Sequence, residues 1–120
     1  MRVLVGVDSS ERGLETLETA IERAQAVGDE VTVAVYARSN DSLSEAKSVV
    51  RDQLATIGVN PPIETLEGDP GSELVELAER EDYGQIVLSG GQVSPLGKIN
   101  FTNVHEFVLL NAHTTVTLVR

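Results

Sequence analysis

Cysteine is absent from this chain, which excludes disulfides, thiol catalysis and thiolate metal sites. Tryptophan is absent as well, and aromatics make up only 3% of the residues, so a core has to come from Val, Leu, Ile and Ala. Positive charge is scarce: 9 Lys and Arg stand against 19 Asp and Glu, a net charge of −10, and Lys47 and Lys98 are the only lysines. A surface this acidic repels nucleic-acid phosphates, so no DNA or RNA partner is expected. No apolar run approaches the roughly 18 residues a membrane span needs, and the first residues lack the basic and apolar regions of a signal peptide. A cytoplasmic protein with no membrane partner is the simplest expectation. The acids are spread along the chain as solvated helix faces would place them; the sharper alternative is a salt-loving host.

What remains is enough for one domain spanning residues 1–120, with 41% hydrophobic residues to fill it. Val3-Leu4-Val5 and Val7 form a continuous β-prone run, the mark of a strand buried on both faces. Any of Asp8, Ser9 and Ser10 can cap the helix that follows. Leu14, Leu17, Ile21 and Ala24 give that helix one apolar stripe, and Gly28 ends it. Val31 to Tyr36 is a second buried strand. Asp41 and Ser42 are both good caps for a helix carrying Leu43, Ala46, Val50, Leu54 and Ile57, stopped by Gly58. Asn60-Pro61-Pro62 breaks the chain before a short edge strand, Ile63 to Leu66. Asp69-Pro70 is an N-cap followed by a first-turn proline, opening a helix with Leu74, Leu77 and Ala78 inward. Gln85 to Leu88 is the fourth strand. An irregular stretch from Ser89 to Phe101 leads to a helix from about Val104 to Ala112, apolar on most sides. That helix is either sandwiched within the domain or turned toward a partner. Thr115 to Val119 is the last strand, at a sheet edge.

Strict strand–helix alternation predicts an α/β fold: an open, mostly parallel five-stranded sheet with four helices on both faces, Rossmann-like in arrangement. Ligands in such sheets bind outside the carboxyl ends of the strands. The loops there are Asp8–Ser10, Ala37–Asp41, Glu67–Asp69 and Ser89–Phe101.

Three passages together resemble the universal stress protein family. They are Val3 to Glu11; Glu67-Gly68-Asp69-Pro70 through Leu77-Ala78-Glu79 to Ile86-Val87-Leu88; and Val104 to Leu109 followed by Val116 to Val119. The resemblance spans essentially the whole chain and implies an adenine nucleotide alpha hydrolase-like fold. Only the loop from the second strand to the second helix is short for the family. Many members bind ATP through Gly-x-x-Gly-x9-Gly-[Ser/Thr]. Counted back from Val104, that motif falls on Ser89, Gln92, Thr102 and Asn103, so its glycines are all replaced. The resemblance implies that Asp8 matches a nucleotide-contacting aspartate, that Lys98 sits where a basic residue is common, and that the chain pairs as a homodimer through Thr115–Val119.

The functional expectation is a stress-response binding or regulatory domain that does not depend on ATP and has no cofactor. Glycine at close-approach positions bares backbone N–H groups to phosphate; Gln92 and Thr102 obstruct this. The alternative is a weak ATP/Mg²⁺ switch. It would use Asp8, Ser9, a displaced anion nest at Gly90 and Gly91, Lys98, Thr102 and Asn103. Two of these have a plainer role: Asp8 as a helix cap, and Asn103 with Glu106 as a capping box. His105 is expected on a helix surface and His113 in a loop. No Ser/His/Asp constellation or metal cluster stands out, so catalysis is not expected.

Overall fold

The computed structural model describes residues 1–38, 40–90, 92–93, 99–100 and 103–120, with residues 92–93 and 99–100 described by backbone only. Strand β1 (Arg2–Val7) leads to α1 (Glu11–Val27), β2 (Glu30–Val35), α2 (Leu43–Ile57), β3 (Ile63–Thr65), α3 (Pro70–Arg80) and β4 (Gln85–Ser89). A small ribbon, β5 (Gln92–Val93) and β6 (Ile99–Asn100), precedes α4 (Asn103–Asn111) and β7 (Thr115–Val119). Five parallel strands form the main sheet in the order β3-β2-β1-β4-β7. The expected alternation is therefore observed, with one addition: β5 and β6 pair antiparallel inside the stretch expected to be irregular. Two-residue strands are too short to carry a periodic signal.

Alternation along β1 divides the core. Val3, Val5 and Val7 join Leu17, Ile21, Val33, Val50 and Leu54 under α1 and α2. Leu4 joins Leu74, Leu77, Ile86, Leu88 and Val108 under α3 and α4 on the other face. Leu4, Leu17, Leu74, Ile86 and Leu88 are fully buried, and each such side chain contributes about 1.5–3 kcal/mol. The helix ends follow local chemistry. Ser10, Ser42 and Asp69 accept from Gly13 N, Glu45 N and Ser72 N, which identifies the caps among the open candidates. Gly28 and Gly58 turn the chain at φ 75° and 90°, left-handed positions that suit glycine.

α4 is not sandwiched. It buries His105 and Val108, while Phe107, Leu109 and Leu110 are exposed on its outer side. Phe107 lies so close to Gly71 of α3 that a Cβ there would fall 2.9 Å from Phe107 Cβ. Among the described residues, no helix is long and apolar enough to cross a membrane.

Candidate functional site

The sheet grows in one direction through β1, β2 and β3 and in the other through β4 and β7. This reversal opens a crevice at the carboxyl ends of β1 and β4, where open α/β sheets hold their ligands. Asp8 follows β1 directly. Its Oδ1 accepts from the Ser10 backbone N at 3.0 Å and from the Ser10 hydroxyl, and Ser10 Oγ in turn accepts from Gly13 N. Asp8 is thus not the cap of α1; it orients the residue that is. Gly13 completes the turn, because a Cβ there would lie 2.6 Å from Asp8 O and 2.8 Å from Asp8 Oδ1. Ser9 Oγ donates to Asp41 Oδ2 at 3.5 Å, tying this turn to the loop after β2. Asp41 also holds Arg38, Nε to Oδ2 at 2.8 Å.

Two buried groups that the sequence did not place in the site face the same end of the sheet. Tyr36 extends β2, donating its backbone N to Val7 O. Burial first, and the Asp8 charge second, push its phenol well above the ordinary value, so it remains an O–H donor. His105 is only 3% exposed, which corrects the expectation of a surface residue. Its Nε2 lies 3.4 Å from Ser89 Oγ. Burial pushes the ring below its ordinary value, against smaller upward pulls from the Ser89 backbone and the Asp8 charge. His105, Val108 and Ala112 recur at helical steps and face the sheet. That phase, more than the apolar run around it, was the usable signal. Ser89 and His105 are thus in contact, within reach of the Asp8 charge, although no sequence spacing announced it. Among the described residues, no group of three or more His, Asp or Glu side chains converges to hold a metal.

The phosphate-loop positions divide. Ser89 ends β4, in register with Val119. Gly90 is buried, and its N–H donates to Val119 O, so that amide cannot serve an anion nest. A Cβ at Gly90 would meet Arg120 Cγ at 2.8 Å and Val119 O at 2.9 Å; this glycine serves strand packing. Gln92 starts β5. Asn103 is exposed and begins α4. Gly91, Lys98 and Thr102 lie outside the described residues, as does the Ser94–Gly97 segment. His113 is exposed in the loop between α4 and β7, as expected, with its Nε2 3.9 Å from Glu79 Oε1.

The His105 environment sets a pH dependence. The folded protein resists a proton that the unfolded chain accepts near pH 6.5. This contribution to stability is therefore full above that pH and falls as the pH drops through the unfolded value toward the folded one. Urea unfolding at pH 7, 6 and 5 should show the wild type losing stability more steeply than His105→Gln, by at most about 1.4 kcal/mol per pH unit. Equal slopes would place the acid sensitivity elsewhere.

Comparison with known proteins gives a consistent result. A sequence model described as the universal stress protein family matches residues 1–120. A universal stress protein of Methanocaldococcus jannaschii is 36% identical over 76 residues, 63% of this chain and 45% of that protein, so the match spans less than half of that relative's length. A solved universal stress protein from Archaeoglobus fulgidus is 27% identical, with a TM-score of 0.70, covering 100% of this chain and 98% of that chain. A further structure of the Archaeoglobus fulgidus universal stress protein, in complex with dAMP, is 24% identical, with a TM-score of 0.66 and the same coverage.

Proposed function

The chain belongs to the universal stress protein family, and on that premise we propose that it is a stress-response binding or regulatory domain that works without ATP. The observation that carries this reading is the end of β4. Where a phosphate loop needs bare backbone, Ser89 leans on a buried His105, and the Gly90 amide is held by Val119. Charge-assisted hydrogen bonds contribute about 1.5–3 kcal/mol each. Losing two or three of them moves a micromolar phosphate site into the millimolar range. The net charge of −10 disfavours a triphosphate further. The crevice then acts by binding, not by turnover, in a cytoplasmic setting. Titration calorimetry with ATP and Mg²⁺ tests this: heats too weak to fit are expected, and an affinity tighter than about 0.1 mM would overturn it.

A second reading is a weak nucleotide switch. It is favoured by the part-buried Asp8 at the crevice, with Arg38 beside it, and by the dAMP complex of the Archaeoglobus fulgidus relative. The same titration, run with AMP, separates the two.

Pairing of two chains along β7 belongs to the same proposal. β7 is an edge strand whose outer side has no neighbour among the described strands. Sedimentation of the wild type at micromolar concentration should give the mass of two chains; a single-chain mass removes the idea.

A further inference from the structure

A second cleft lies at the opposite end of the sheet, beside the amino ends of β1 and β2. Its volume is about 500 Å³, inside the roughly 300–1,000 Å³ range of small-molecule sites. Ile21, Ala24 and Val31 form its floor, and Val59, Pro61 and Pro62 form the wall opposite α1. The two prolines restrict the backbone of this wall.

The helix ends bias the potential at the mouth toward negative. α1 and α2 both end here, and a helix C-terminus carries roughly half a negative charge. Neither helix has a basic residue in its last turn to offset it. Asp29 and Glu30 stand at the rim. Asp29 is already paired, with the Met1 ammonium group at 3.0 Å, so Glu30 is the acid left to face a ligand. Glu30 is exposed. Arg2 also borders the cleft, but its guanidinium is drawn away: it donates to Glu81 O and lies 4.3 Å from the centre of the Tyr83 ring. Arg23 lines the adjoining groove, which shares Ala24 and Asp29 with this cleft and runs on to Gln85 and Thr117. We infer that the cleft between the ends of α1 and α2 binds a small apolar molecule bearing one positive charge. The body would rest on Ile21, Ala24 and Val31, and the cation would face Glu30 and the last helical carbonyls. This site is independent of the crevice at Asp8 and Ser89 and does not rest on the function proposed for it.

Two probes of matched shape and opposite charge test the inference: 1-adamantylammonium and 1-adamantanecarboxylate, titrated into the full ¹⁵N-labelled chain. The ammonium should shift the amides of Gln25, Val31 and Val59, and the carboxylate should bind at least about tenfold more weakly. Glu30→Gln, an exposed substitution that leaves the core intact, should weaken ammonium binding several-fold. Equal affinity for the two probes, an unchanged affinity in Glu30→Gln, shifts centred on Asp8 and Ser89, or no saturable shift up to about 10 mM would each overturn it.

Discussion

Replacing Gly13 with alanine should lower the melting temperature by roughly 6–10 °C, although alanine is the better helix former. In an unobstructed helix the exchange gains about 1 kcal/mol. Here the added Cβ would sit 2.6 Å from the backbone oxygen of Asp8 and 2.8 Å from its carboxylate. Neither atom can retreat cheaply. The first belongs to the main chain leaving β1, and the second is hydrogen-bonded to Ser10. Overpacking of this kind costs about 1–3 kcal/mol and can exceed it. The clash therefore wins, leaving a net loss of about 2 kcal/mol. Gly28→Ala is the useful contrast. Nothing lies within 4 Å of its Cβ position, so only the left-handed φ of 75° opposes it, at about 1 kcal/mol. Calorimetric melting of both variants checks the order; a Gly13→Ala protein as stable as the wild type would mean that the Asp8 turn yields.

The largest functional effect is expected from rebuilding the phosphate loop. Ser89→Gly, Gln92→Gly, Thr102→Gly and Asn103→Ser, combined, should raise the affinity for Mg²⁺-ATP by about 100-fold. Two regained charge-assisted bonds are enough for that gain. Ser89→Gly also removes the hydroxyl that contacts His105. The gain stays below the full value of an intact loop because the Gly90 amide remains engaged by Val119. Calorimetry on the combined variant decides the matter. Binding still in the millimolar range would move the cause from the missing glycines to the acidic surface.

Fold and site were legible in the sequence to different degrees, for physical reasons. Asp69-Pro70 and the two stop glycines work through their own backbones and near neighbours, so they fell where expected. The choice of Ser10 over Asp8, and of Ser42 over Asp41, as caps was not legible. In each pair both side chains are competent, and in the first the tertiary setting recruits the other, Asp8, to hold the cap. His105 was misplaced because a polar residue in an apolar helix looks like a surface position. Only the packing of α4 on the sheet shows that its phase follows Val108. Gly90 and Gly91 looked like donors for an anion, yet a glycine pattern does not reveal which carbonyl an amide will find first. For Gly90 that carbonyl belongs to Val119, 29 positions further along the sequence.

The strand order also sets a sequence of events in time. β1 pairs with β2 along its whole length, Arg2 to Val7 against Glu30 to Val35. Its other flank meets β4 only at Val3 to Val5, against Gln85 to Val87. Contacts between distant parts of a chain form more slowly than those between near ones. The β1–α1–β2 unit should therefore mature early and β4, α4 and β7 join later, with amide exchange slower along Val33–Val35 than along Val116–Leu118. Asp8 belongs to the early piece, and Ser89 and His105 to the late one. The crevice is thus a seam between two generations of structure, and a partial opening that spares most of the molecule is enough to erase it.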